Sequence, residues 1–199
     1  MDMTIEPPVS GDVSAVVDLV ALAQGCTRPE VNQTLHKLVC DSGGGVSQSE
    51  DPFGANLMYA RVARVAGQVV GYIYCTFPAS YLAPDGDGVA ALDLIKQVVE
   101  VNVAAVDPGF QRQGIGAALV ADAMEYYRDQ GHMVALVTAP TASSASYWEG
   151  VGFTMTTKII KLPNAAPLLR DEKWSAHGLI SLSQRCDIRE LGLGLKARF

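Results

Sequence analysis

The chain has 199 residues, of which 49% are apolar and 18% charged, with 19 Gly and 10 Pro. That length suits one compact domain with a sizeable core, and the mixture excludes general disorder and collagen-like or low-complexity chains. Fifteen Lys and Arg against 21 Asp and Glu leave a net charge of −6, so no overall basic field draws the chain to nucleic acid.

Residues 1–8 hold two acids and no basic residue, which fits neither a secretory signal nor an Arg-rich transit peptide. Charges or turn residues interrupt every apolar run before the roughly 18 residues that a membrane span needs. Cys26, Cys40, Cys75 and Cys186 show no Cys-x-x-Cys spacing and no nearby His pair, so neither a disulfide framework nor a metal site is expected. The expectation is a soluble, cytoplasmic protein with reduced thiols, no membrane partner and no nucleic-acid partner.

In chain order, residues 4–6 read as a short strand, and Ser10-Gly-Asp12 opens a helix through Val13, Val16, Val17 and Val20 that ends near Gly25. A second helix is expected over 29–39, followed by a Gly- and Ser-rich loop over 41–53. Residues 57–65 and 69–77 form a hairpin around Ala66-Gly67-Gln68. The connection over 78–88 carries Pro84-Asp-Gly-Asp-Gly88, which lacks the remaining ligands of a calcium loop and reads as a turn. After a short apolar segment at 89–95, strands are expected at 97–106, 132–138, 153–162 and 174–182, with helices at 114–130 and 142–149. The longer helix places Ile115, Leu119, Ala123 and Tyr126 on one face. This order implies an α/β fold, a mixed sheet with helices on both faces.

The stretch that carries chemistry is Val103-Ala-Ala-Val-Asp-Pro-Gly-Phe-Gln-Arg-Gln-Gly-Ile-Gly-Ala-Ala-Leu119. A buried strand runs into a Pro108-Gly109 turn, and a Gly-containing loop opens directly into a helix. The first turns of that helix present unpaired N–H groups at the positive end of the dipole, and no Asp or Glu competes for them. Gly114 and Gly116 permit close approach of a phosphate; tight packing of helix on strand would use the same glycines. A Walker loop would need Gly-Lys-Ser/Thr, and a dinucleotide fingerprint a third Gly where Leu119 stands.

With Gln111-Arg-Gln-Gly-Ile-Gly116 after Val106-Asp-Pro108, the sequence resembles the GNAT N-acetyltransferase superfamily, whose signature is Gln/Arg-x-x-Gly-x-Gly/Ala. Ala66-Gly-Gln-Val-Val-Gly71 is similar to the family's hairpin, and Ser146-Tyr-Trp-Glu-Gly-Val-Gly-Phe153 to its second block; the likeness covers about residues 3–160. It implies a GNAT-like, mostly antiparallel mixed sheet, a domain over 1–162, and acetyl-CoA as acyl donor. The pyrophosphate would lie on backbone N–H groups of Gln111, Arg112, Gln113, Gly114, Ile115, Gly116 and Ala117. The pantetheine arm would pair with the strand at Val103, Ala104, Ala105 and Val106.

The chain departs from the family where a Tyr is the usual proton donor to the CoA thiolate, since that position is Trp148. Tyr147 lies about 100° around the helix and is the candidate acid or a packing ring. Thr141 and Ser144 stand where the family often has Asn and Ala. Glu100 and Asn102 share one face of their strand, opposite Val99, Val101 and Val103, so Glu100 is the candidate base, or belongs to a solvent-facing or hydrogen-bonded strand face. Cys75 has no evident activating base and reads as a buried thiol. His132 reads as a boundary residue, Tyr72 and Tyr74 as core packing, and Arg61 and Arg64 as solvated surface.

The expected activity is acetyl transfer to a primary amine by direct attack, without a covalent enzyme intermediate. An acyl-CoA-binding sensor and a plain interaction module are the other readings. Acceptor loops would fall at 26–56 and 78–96. The extension at 163–199 would pack on the domain or on a second subunit, as in a homodimer.

Overall fold

The computed structural model describes residues 2–25, 27–28, 58–78, 96–139, 142–156 and 176–182. These carry strands β1 (Met3–Glu6), β2 (Tyr59–Val65), β3 (Gln68–Thr76), β4 (Val98–Val106), β5 (Val134–Ala139), β6 (Thr154–Thr156) and β7 (Ala176–Ser181), and helices α1 (Val13–Gln24), α2 (Ile115–Asp129) and α3 (Ala142–Gly150). The helix expected at 29–39, the loop at 41–53, the segments at 84–95, the rest of the strand at 153–162 and the boundary at 162/163 lie outside the described residues. The chain divides into two compact units, Met1–Cys75 with Asn102–Ala123 and Thr76–Val101 with Met124–Phe199.

In the first unit the strand order is β1-β2-β3-β4. β1 and β2 pair antiparallel, as do β2 and β3. The hairpin turn is the two-residue Ala66-Gly67, both at positive φ (49° and 80°), because Gln68 already pairs with Val65. One face of the sheet is covered by α1: Val16, Val17 and Val20 share a buried cluster with Val62, Tyr72, Tyr74 and Ala105. Burying each large apolar side chain contributes roughly 1.5–3 kcal/mol, which is why the β-branched run of α1 folds onto this face. Tyr72 and Tyr74 are therefore core, as expected. Gly71 faces the other way, and a Cβ there would lie 3.0 Å from Leu119 Cδ1 and 3.1 Å from Ile115 Cγ2. The start of α2 thus sits tightly on the opposite face, giving helices on both sides.

Arg64 is not the solvated residue its composition suggests. In the unshifted ladder of β1 with β2, Arg64 lies opposite Thr4 and so on the same face as Glu6, and its guanidinium bridges Glu6 and Asp12, with Asp12 Oδ2 at 2.6 Å. Asp12 also accepts the Val9 N–H at 2.8 Å, so one buried carboxylate ties β1, the following turn and β2 together. Arg61 lies over the Tyr59 ring at 4.3 Å, and the Tyr59 hydroxyl donates to Asp122.

In the second unit the order is β4-β5-β7-β6. Val98–Val101 of β4 run parallel to Val134–Val137 of β5, while β5 with β7 and β6 with β7 are antiparallel. The last strand expected from the sequence is real and inserts between β5 and β6. Two expectations shift slightly. The fully buried ring near the end of α2 is Tyr127, not Tyr126, one residue further along the buried stripe of Leu119, Ala123 and Met124. The strand begins at Val134 rather than 132 because the preceding residues close the helix: Gly131 N–H donates to Arg128 C=O and His132 N–H to Tyr127 C=O, both at 3.0 Å. His132 is thus the boundary residue it resembled.

Candidate active site

The loop between β4 and α2 is fixed from within. Asp107 caps the Pro108–Phe110 turn by accepting the Gly109 N–H at 2.7 Å, and its own N–H donates to Val70 C=O at 2.9 Å. Gln111 Nε2 donates to Val106 C=O at 3.1 Å, and Gln113 Nε2 to Gly109 C=O at 3.3 Å. Asp-Pro-Gly is a legible turn triplet, but the part played by the two glutamine side chains has no sequence signal. Arg112 adopts φ +60°, rare for a residue with a Cβ, and Gly114 φ +84°.

The result is a set of backbone donors with the geometry of an anion cradle. The first helical bond is Ala118 N–H to Gly114 C=O at 2.9 Å, so the N–H groups of Ile115, Gly116 and Ala117 precede any intrahelical acceptor. No acidic residue lies in the first turn of α2. Residues 111–114 are exposed, with the Arg112 cation among them, and open space surrounds the Cβ position of Gly114. A diphosphate fits this set of donors and charges. Ile115 has only its backbone to offer there, since its side chain is buried against Gly71.

β4 offers a second feature. Its ladder with β5 is registered only from Val98 to Val101, although β4 continues to Val106. Along Asn102–Val106 one backbone edge has no strand partner among the described residues, and an extended arm rich in amides can pair there. The side chain of Ala105 is buried and that of Val103 packs against the same core, so on that face Val103 and Ala105 present backbone rather than side chains, while Ala104 and Val106 are half-buried. The Val106 carbonyl is already taken by Gln111.

Glu100 sits half-buried in β4 between buried Val99 and Val101, and Asn102 is exposed, as the alternation predicts. Among the described residues Glu100 has no ion pair, and burial alone pushes its carboxyl up to about 7. That is the range in which a general base is effective at neutral pH.

Tyr147 and Trp148 occupy the last turns of α3. Trp148 is buried, 6% exposed, and its ring meets Phe153 edge-on at 5.2 Å; Tyr147 is 37% exposed and its ring meets Trp148 edge-on at 5.0 Å. The helix closes with Phe153 N–H to Trp148 C=O at 2.9 Å and Gly152 N–H to Glu149 C=O at 3.1 Å, with Gly152 at φ +100°. In this closure a residue just past the helix packs on one in the last turn, and Trp148 is that inner partner of Phe153. Tyr147 points elsewhere, and burial pushes its phenol up to about 12. Among the described residues no group of acids, His and Cys could hold a metal, and no helix is long and apolar enough to cross a membrane.

No curated protein is similar enough in sequence to count as a match. Solved structures are similar in fold: the PaiA N-acetyltransferase of Thermoplasma acidophilum in complex with coenzyme A (12% identity, TM-score 0.60, covering 91% of this chain and 99% of that one). YncA of Salmonella typhimurium with its cofactor acetyl-CoA has 16% identity and TM-score 0.60, covering 94% and 98%. The aminoglycoside 6'-N-acetyltransferase AAC(6')-Ih of Acinetobacter baumannii has 16% identity and TM-score 0.58, covering 81% and 97%. The family model described as the acetyltransferase (GNAT) family matches residues 18–153, a span that contains the cradle, the β4 edge, Glu100 and Tyr147. The chain belongs to the GNAT acetyltransferase family, which uses acetyl-CoA as its acetyl donor.

Proposed function

We propose that this protein moves an acetyl group from acetyl-CoA to a primary amine by direct attack. The observation that carries the reading is the pairing of the acid-free cradle at the start of α2 with the unpartnered edge of β4. Backbone N–H groups of residues 111–117 hold the diphosphate, and the Asn102–Val106 edge holds the pantetheine arm, with a β4 N–H donating to the carbonyl oxygen as negative charge develops on it.

In this reading the amine nitrogen bonds to the carbonyl carbon and the C–S bond breaks, its electron pair staying on sulfur. Glu100 takes the proton that the amine loses and returns it to solvent. A phenol raised to about 12 stays protonated at neutral pH but is a weaker acid than an ordinary tyrosine. Tyr147 therefore donates a hydrogen bond to the departing sulfur, which takes its proton from water. Cys75 plays no part, since its thiol is fully buried and burial raises its pKa. The protein works in a reducing cytosol, and sedimentation at micromolar concentration tests the homodimer.

The experiment is amine-dependent release of free CoA thiol from acetyl-CoA across a panel of simple amines, amino acids, polyamines and peptides. Release that requires the amine supports transfer. A second reading, an acyl-CoA-binding sensor, is favoured by the buried packing role of Trp148, and tight binding without release by any amine would establish it.

A further inference from the structure

We propose that Trp148 is a positioning residue: clamped by Phe153 at the closed end of α3, it fixes the Tyr147 ring and the direction in which the phenol leaves the helix. The proposal rests on the reading of Tyr147 given above.

The three rings form a ladder of edge-to-face contacts, Tyr147 to Trp148 at 5.0 Å and 68°, Trp148 to Phe153 at 5.2 Å and 69°. Trp148 and Phe153 are buried, 6% and 3% exposed, and the backbone bond between them fixes their separation. Tyr147 alone reaches water. A tyrosine on an open helix surface samples several staggered rotamers. An edge-to-face contact with a ring that cannot itself move selects among them. A tryptophan at 148 is thus matched to the ring at 147: it offers a large immobile edge for that ring to rest on.

The test uses the full-length protein labelled at tyrosine Cζ with carbon-13, the Tyr147 resonance being assigned with Tyr147→Phe. In the wild type this resonance titrates near 12. In Trp148→Leu it moves toward the ordinary value of about 10, and in Trp148→Phe, which keeps a ring, it stays near the wild-type value. Thiol release from acetyl-CoA, with the amine that gives the fastest wild-type turnover, falls about tenfold in Trp148→Leu, matching Tyr147→Phe, and the double variant falls no further. If Trp148→Leu does not fold, Phe153→Leu loosens the same clamp from below. A folded Leu variant whose Tyr147 titrates as in the wild type overturns the positioning role. Unchanged thiol release in Tyr147→Phe overturns the reading of Tyr147 on which it rests.

Discussion

At the end of α2, Gly131 and His132 return their N–H groups to Arg128 and Tyr127, and the imidazole rests edge-on against the phenol at 4.9 Å. At the end of α3, Gly152 and Phe153 do the same to Glu149 and Trp148, with the rings 5.2 Å apart. The backbone closure is identical, but its use differs. Both pairs carry a third ring one residue back, Tyr126 against Tyr127 at 5.2 Å and Tyr147 against Trp148 at 5.0 Å, but Tyr126 is half-buried whereas Tyr147 is exposed. One closure completes a core and the other mounts a side chain on its surface. Loss at the first should appear as instability, and loss at the exposed ring of the second as lost chemistry.

The largest effect expected from breaking this contrast is at Tyr127. Truncation to Ala leaves a cavity in a fully buried site and should lower unfolding free energy by about 3–5 kcal/mol, read by denaturant titration. Glu100 sharpens the contrast from another side, because it is half-buried with no ion pair among the described residues. Its folded pKa is raised to about 7, so its favourable contribution is complete below the unfolded value of ~4.3 and is lost as pH rises through about 7. Wild type should therefore weaken relative to Glu100→Gln by roughly 3–4 kcal/mol between those limits and stay level above them. Thiol release should rise through about 7 in the wild type and lose that rise in the Gln variant.

Next are the glycines that close the helices. A Cβ costs roughly 1–2 kcal/mol in the left-handed conformation of Gly131 and Gly152. At Gly152 it also meets Ile180 Cδ1 at 3.3 Å, while at Gly131 it meets open space, so Gly152→Ala should be the more destabilising in thermal unfolding. The smallest change in stability belongs to Tyr147→Phe, within about 0.5 kcal/mol, while thiol release falls about tenfold. A Tyr147→Phe variant that unfolds early would erase the distinction between the two helix ends.

The turn and the acid-free start of α2 were legible in the sequence because their signals are local: Asp-Pro-Gly makes a turn, and a helix that starts without acids advertises an open positive end. The hairpin and the terminal strand were legible from β-branched runs. What periodicity could not reach was set by tertiary geometry. The pairing of β1 with β2, which sets Arg64 on the face of Glu6, turned a surface cation into a bridge to Glu6 and Asp12. One residue, about 100° of helix, separated Tyr126 from the buried Tyr127. The clamp on Trp148 was hidden because its partner, Phe153, lies beyond the helix and meets it only through the closure at Gly152.

The account's central claim is that the start of α2 holds an acyl-CoA diphosphate. Calorimetric titration with acetyl-CoA and then CoA, on wild type and on Gly116→Trp, tests it most directly. The account predicts micromolar binding of both ligands to the wild type and none to a folded Gly116→Trp. A folded wild type that binds neither, or a Trp variant that binds as the wild type does, would contradict it.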